Sequence, residues 1–183
     1  MCLPDRPARG RKIGVQADAP EPLSREPCRI ANWTATTTTT ATPDQILEVL
    51  THPDEIRRWS PIDFEVDELD DVRLAAGTRA RVIGRVAGVC VGFDVEIHAA
   101  DEELLELSAD GPIGIDVRYE LEPADAGSEV RASVSLRRGG GLTGRLVANA
   151  TAALLSTGVL DGAAGRIARA AEAQPEPAFA LAA

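Results

Sequence analysis

The segment RARVIGRVAGVCVGFDVEI (residues 79–97) decides the fold, because apolar side chains recur at every second position on both sides of a central Ala-Gly pair. Alternation of this kind is typical of β-strands that bury one face. A two-residue turn at residues 87–88 joins the strands in a register that sets apolar residues opposite apolar residues and arginines opposite acidic residues. The predicted pairs are Ala80 with Val95, Val82 with Phe93, Arg79 with Glu96, and Arg81 with Asp94.

A second pair of alternating segments lies further along the chain, at residues 113–122 and 130–136. One register again satisfies both faces of the hairpin. Residues 104–109 supply a strand between the two hairpins, and the threonine-rich residues 33–41 are predicted to form the first strand. The sequence therefore predicts an antiparallel sheet of about six to seven strands. The pairs expected in the second hairpin are Leu121 with Val130 and Glu120 with Arg131.

Two short helices are predicted directly after the first strand. Thr42 can cap the first helix, and Pro43 occupies the position where a helix accepts proline. The His-Pro dipeptide at residues 52–53 interrupts this helix, because the residue before a proline is displaced from helical geometry. A second short helix covers residues 54–59 and ends at the Ser-Pro dipeptide at residues 60–61.

The chain is predicted to finish with one long helix over residues 142–173, which are rich in alanine and leucine and contain no proline. Gly158 and Gly162 are the positions at which this helix can bend. Its inward face follows three- and four-residue steps. That face consists of Leu146, Ala150, Leu154, Thr157, Leu160, Ala164, Ile167 and Ala171.

The composition is that of an ordinary globular protein, with 44% hydrophobic and 26% charged residues among 183. The length suits a single domain. Residues 1–29 contain five prolines and little apolar periodicity, and they are expected to be a disordered leader. Residues 30–173 are expected to form the folded domain, and residues 174–183 a flexible tail.

The formal net charge is −10, and residues 1–29 carry six basic and four acidic side chains, so the remainder is still more acidic. A negative field repels nucleic-acid phosphates and anionic lipid surfaces, which argues against both as partners. No run approaches the roughly 18 apolar residues that span a bilayer. We therefore expect no membrane insertion and a cytoplasmic location. Cys2, Cys28 and Cys90 are too scattered for a disulfide framework or a zinc site and are expected to be free thiols.

Two local motifs resemble the START-like superfamily, also called SRPBCC or polyketide cyclase/dehydrase and lipid-transport proteins. Residues 42–51 (TPDQILEVLT), followed by the Trp-Ser-Pro of residues 59–61, are similar to the first-helix segment of that family. Residues 119–130 are similar to its penultimate hairpin. The order of predicted elements is also that of the family, and the resemblance covers about residues 30–173. Ile46, where an aromatic residue is common, and His52, where an aspartate is common, depart from the pattern.

The resemblance implies an α+β helix-grip fold, in which a curved antiparallel sheet wraps around a long C-terminal helix. It also implies a cavity between sheet and helix that binds a small, largely apolar molecule. The side chains expected to line this cavity are the inward strand and helix positions together with one tryptophan. They are Trp59, Val82, Phe93, Val95, Ile97, Leu107, Ile115, Val117, Tyr119, Leu154 and Leu160.

Tyr119 is the only tyrosine and the candidate catalytic residue, because alternation points its hydroxyl into the apolar face, where it needs a hydrogen-bond partner. Its alternative role is to fill the core and bond a backbone carbonyl. Trp59 is interpreted first as a hydrophobic anchor and second as a surface on which a ligand stacks. Arg57 and Arg58 are interpreted as solvated helix charges, with recognition of an acidic ligand group or an acyl-carrier phosphate as the alternative.

The remaining reactive side chains give weaker indications. His98 lies on the outward face of its strand and His52 lies in a loop, so neither is placed as a general base or as one of a metal pair. Cys90 lies opposite Arg85, but no histidine is placed beside it to make it a nucleophile. The glycines at residues 139–141 fit a hinge or a helix start. We expect neither a metal nor a redox cofactor.

Three functions remain open at this stage. The first is an enzyme of the polyketide cyclase/dehydrase type that acts on an intermediate of bacterial secondary metabolism, with an acyl-carrier protein as one conceivable partner. The second is a carrier or sensor of a lipid-like molecule, which the scarcity of inward ionisable groups favours. The third is an interaction module with a filled core. The sequence does not indicate an oligomeric state.

Overall fold

The computed structural model describes residues 29–69, 73–86, 88–137 and 139–174. Most of the predicted leader and of the predicted tail lies outside these ranges. Seven strands and four helices are present in the described part. The strands are β1 (Arg29–Thr39), β2 (Phe64–Leu69), β3 (Arg79–Val86), β4 (Val89–Ala100), β5 (Leu104–Asp110), β6 (Gly114–Ala124) and β7 (Gly127–Arg137), and the helices are α1 (Pro43–Thr51), α2 (Pro53–Trp59), α3 (Gly141–Ser156) and α4 (Val159–Glu172).

The strands form one antiparallel sheet in the order β1-β7-β6-β5-β4-β3-β2. Both predicted hairpin registers are confirmed: Val82 pairs with Phe93 and Arg81 with Asp94 in the first hairpin. Leu121 pairs with Val130 in the second. The first strand closes onto the last, since β1 pairs with β7. The sheet and the helices on its inner face make the predicted α+β helix-grip architecture.

Local sequence explains the two short helices. Thr42 and Gln45 form a capping box: the Thr42 amide donates to Gln45 Oε1 at 2.9 Å, and the Gln45 amide donates to Thr42 Oγ1 at 3.4 Å. His52 ends α1 and also stands directly before the first residue of α2, as the His-Pro step predicts. The prediction of a broken helical pair is confirmed.

The predicted C-terminal helical segment is present, but it is divided into two helices at Gly158, one of the two glycines named as positions of a bend. Gly158 adopts a left-handed conformation with φ of 79°, which ends α3, and α4 departs at 63° to it. The predicted inward face holds for the α4 positions, but Leu146 of α3 is 57% exposed and Thr157 lies in the exposed break. No single helix of the described part has the length and apolar composition to cross a membrane, although the bent pair together meets that test.

The core lies between the inner face of the sheet and α1 and α4. Ile46, Val49 and Leu50 of α1 meet Ile167 of α4, and all four are buried. Helix α4 packs chiefly against β1 and α1, whereas α3 buries only Gly144 and Val147. Helix α4 therefore contributes more buried residues to the core than α3 does.

Glu172, at the C-terminal end of α4, accepts two hydrogen bonds from residues at and just after the end of β1. The Thr39 hydroxyl donates to Glu172 Oε1 at 2.9 Å, and the Thr40 amide donates to the same oxygen at 3.2 Å. The hydrogen bond from the Thr39 hydroxyl and, to a smaller extent, the one from the Thr40 amide lower the pKa of Glu172 below its usual value of 4.5. A carboxylate whose pKa is lower in the folded state than in the unfolded state stabilises the fold at pH values above its unfolded-state pKa. This stabilisation is lost as the pH falls through the folded-state pKa.

We expect Glu172→Gln to lower the thermal midpoint at pH 7, because the neutral amide accepts weaker hydrogen bonds than the carboxylate. The difference from the unsubstituted protein should shrink as the pH falls below 4.5. Thermal melts at several pH values check this. Glu102→Gln is the control, since Glu102 is exposed and makes no side-chain hydrogen bond within the described ranges. A Glu172→Gln difference that is constant with pH would refute the role of ionised Glu172.

Candidate functional site

The inner face of the sheet brings most of the predicted cavity residues together. Eight of the eleven belong to one apolar cluster that α1 and α4 close from the other side. Phe93 belongs to a neighbouring cluster with Val91 and Ile113, and Ile115 packs against both. Val82 and Leu154 are partly buried and belong to neither. The eight are Trp59, Val95, Ile97, Leu107, Ile115, Val117, Tyr119 and Leu160.

The centre of this face is incompletely covered. Leu107, Ile115 and Val117 occupy the middle strands β5 and β6, yet all three are only partly buried. Helix packing is concentrated on β1, β6 and β7 at one side of the sheet. A close-packed interior leaves few voids larger than a water molecule. Apolar surface therefore remains accessible between the sheet and the helices.

Tyr119 is the polar group of this apolar face. Its side chain is buried, with 7% exposed, and its ring meets the ring of Trp59 edge-on at 6.5 Å between centroids. Burial raises the pKa of Tyr119 well above its ordinary value, so the phenol stays neutral at physiological pH. Its hydroxyl donates no hydrogen bond to any residue that the structure describes. Tyr119 can thus donate a hydrogen bond to an acceptor on this face, but it is poorly suited to act as a base.

Trp59 fixes the geometry around Tyr119. Its indole N–H donates to the carbonyl of Val49 in α1 at 3.1 Å, and its own carbonyl accepts from Arg166 Nε in α4 at 2.8 Å. One residue thereby ties α1, α2 and α4 together. The anchoring role expected for Trp59 is present, and its ring also forms a wall beside Tyr119.

A mainly apolar cavity of about 620 Å³ opens beside α3. Ala150, Ala153 and Leu154 line it on the α3 side, and Ile62 of the loop after α2 lies on the other. Leu154 was predicted as a cavity residue and Ala150 only as part of the inward face of the helix, whereas Ala153 and Ile62 were missed. The loop residue comes near α3 only through the topology, and alanines give no chemical signal of their own.

The other reactive side chains do not join this site. His98 is exposed, and its Nε2 lies 2.8 Å from Ser108 Oγ on the outward face. His52 sits between α1 and α2, with its Nδ1 buried and unbonded within the described residues. Cys90 is exposed, with Arg85 Nη2 at 3.9 Å from its sulfur. No cluster of three or more His, Cys, Asp or Glu able to hold a metal occurs in the part of the chain described.

The comparisons with known proteins agree with this architecture. The sequence model of the family described as "Polyketide cyclase / dehydrase and lipid transport" matches residues 31–172. No curated protein matches. A solved structure from Thermus thermophilus superposes with a TM-score of 0.59 at 17% identity, covering 78% of this chain and 98% of its own.

Two further solved structures share the fold. A Rhodobacter sphaeroides protein gives a TM-score of 0.56 at 18% identity over 79% of this chain and 95% of its own. A Chromobacterium violaceum protein gives 0.54 at 12% identity over 74% and 96%. At these identities the structures establish the fold alone. With the family match over nearly the whole described part, the chain belongs to the polyketide cyclase/dehydrase and lipid transport family.

Proposed function

We propose that this protein binds a small, largely apolar molecule carrying one hydrogen-bond acceptor on the inner face of the sheet, and that the ligand enters beside α3. The observation that carries the proposal is Tyr119, a buried side chain of the apolar inner face whose hydroxyl donates no hydrogen bond to a described residue. A phenol hydroxyl both donates and accepts, so it can bond a carbonyl or hydroxyl of a ligand. The family match supports ligand binding as the function.

The chemistry of the inner face favours carriage or sensing of the ligand over acid–base turnover. Tyr119 is the only ionisable residue among the buried residues of the described part, and its raised pKa opposes proton transfer at neutral pH. The enzymatic alternative is cyclisation or dehydration, in which the pocket folds a reactive chain and Tyr119 polarises a carbonyl. The two differ in one measurable respect, because only the enzyme changes the mass of what it binds.

Native mass spectrometry after incubation with an extract of the host cells tests binding. A retained mass that equals a compound already in the extract indicates a carrier, and a retained or released mass that differs by the loss of water indicates a dehydratase or a dehydrating cyclase. Failure to retain any compound, with no change of thermal midpoint in the extract, would contradict the proposal in favour of an interaction module.

Tyr119→Phe should weaken ligand binding with little change in the free energy of unfolding. Loss of the hydroxyl removes the bond to the ligand and should weaken binding by about tenfold. The same change keeps the buried ring and removes a hydroxyl that donates to no described residue, so the free energy of unfolding should change by less than about 1 kcal/mol. Titration with the retained compound and denaturant unfolding measure the two effects.

Ser133→Ala is the matched control, because it removes a hydroxyl from the outward face of the same sheet, where Ser133 Oγ lies 3.4 Å from Thr34 Oγ1. It should leave binding unchanged. Equal affinity of Tyr119→Phe and the unsubstituted protein would remove Tyr119 from the site.

A further inference from the structure

A groove of about 470 Å³ lies between α2 and the C-terminal half of α4. Three arginines line it: Arg58 from α2, and Arg166 and Arg169 from successive turns of α4. Trp59 and Ala170 supply an apolar wall. The groove brings together side chains more than a hundred positions apart in the sequence, so its charge is a product of the fold.

The charges in this groove do not cancel. Arg58 is paired with Glu55 at 2.6 Å, but Arg166 and Arg169 make no ion pair with any carboxylate of the described residues. Glu172 lies near Arg169, yet its Oε1 accepts from Thr39 and Thr40. Within the described residues the groove therefore has an excess of positive charge, because Arg166 has no acidic partner and Glu172, which interacts electrostatically with Arg169, also accepts two hydrogen bonds.

The guanidinium of Arg166 is held in place before any ligand arrives. Its Nε donates to the Trp59 carbonyl at 2.8 Å, which leaves the two Nη nitrogens as donors, and Arg166 is partly buried. Arg169 stands one turn further along the same helix and is exposed. A fixed guanidinium loses little conformational freedom on binding and recognises planar or tetrahedral oxyanions through paired hydrogen bonds.

We propose that this arginine groove binds the phosphate monoester of a small molecule, with the body of the molecule against Trp59 and Ala170. A phosphate monoester carries about two negative charges at pH 7, which suits the guanidinium groups of Arg166 and Arg169, neither of which forms an ion pair with a described residue. A carboxylate carries one charge and leaves the second arginine uncompensated. The groove shares Trp59 with the apolar inner face, but its three arginines do not belong to the inner-face cluster, and the proposal does not depend on the function proposed for that face.

Phenyl phosphate is the probe, with phenol and benzoate as neutral and singly charged comparisons and inorganic phosphate as the group without an apolar body. Isothermal titration calorimetry should show millimolar or tighter binding of phenyl phosphate, weaker binding of benzoate and inorganic phosphate, and none of phenol. Binding should weaken as salt rises, because the site is open to solvent.

Arg169→Gln should weaken phenyl phosphate binding by about tenfold while the fold is unchanged, since Arg169 is exposed and makes no side-chain hydrogen bond within the described residues. Arg166→Lys keeps the charge but loses the paired geometry and should also weaken binding. Arg145→Gln is the control, because Arg145 is an exposed arginine on α3 without an ion pair in the described ranges.

Equal binding by Arg169→Gln and Arg145→Gln would overturn the assignment of the site to this groove. Binding of phenol as strong as that of phenyl phosphate, or no binding of phenyl phosphate in the unsubstituted protein, would overturn the assignment of the ligand class. None of these results tests the role of Tyr119, so the proposal for the inner face is tested independently.

Discussion

Trp59→Ala is expected to lower the free energy of unfolding by about 3 kcal/mol, because it removes a large, partly buried ring from the junction of three helices. The substitution also leaves the Val49 carbonyl without its 3.1 Å donor and takes away the ring that Tyr119 meets edge-on. Denaturant unfolding at neutral pH measures the loss. The same variant should lose retention of the ligand, since Tyr119 is no longer held by a neighbouring ring.

Trp59→Phe separates the two contributions of this residue. It keeps an aromatic ring beside Tyr119 but cannot donate to Val49, so about 1 kcal/mol should be lost and most of the ligand binding kept. A Trp59→Ala variant as stable as the unsubstituted protein would show that the three helices are held together without this side chain.

Gly139→Ala is expected to be at least as damaging, with a loss of about 3 kcal/mol or more, because there is no room for a methyl group at this position. A Cβ built on Gly139 overlaps the Pro112 carbonyl oxygen and lies 2.9 Å from Cγ2 of Ile113. A clash with backbone is not relieved by rotating a side chain, so the turn before β6 or the start of α3 must move. The thermal midpoint should fall and the attachment of α3 should loosen.

The neighbouring glycine provides the control for this prediction. A Cβ on Gly140 meets nothing within 4 Å, and its φ of −90° is accessible to alanine. Gly140→Ala should therefore change stability by less than about 1 kcal/mol. Similar midpoints for the two variants would mean that the approach of Gly139 to Pro112 does not constrain the fold.

The sequence predicted the sheet well because its information is local. In the hairpin of β3 and β4, alternation and charge pairing specify the same register, and a slip of one residue would violate both. The capping box at Thr42 and the His-Pro step likewise act within a few residues. The same alternation in β5 and β6 predicted that Leu107, Val117 and Tyr119 face the inner side of the sheet.

The parts that the sequence did not predict depend on tertiary context. Gly162 lies within α4 without breaking it, whereas Gly158 adopts a left-handed conformation, and no local signal distinguishes the two. The exposure of Leu146 follows from that break, because α3 no longer continues the direction of α4. The arginine groove joins Arg58 to Arg166 across the fold, and only the packing of α2 on α4 brings them together.

The division of the C-terminal helical segment at Gly158 affects which substitutions the protein can accept during evolution. Since α4 holds the core and α3 borders the opening, residues such as Ala150 and Ala153 can be exchanged for larger or more polar ones at little cost to folding. Under the proposed function, single substitutions in this one helix are expected to change the ligand preference. Protein engineers who wish to redirect binding should diversify α3 first and leave α4 untouched.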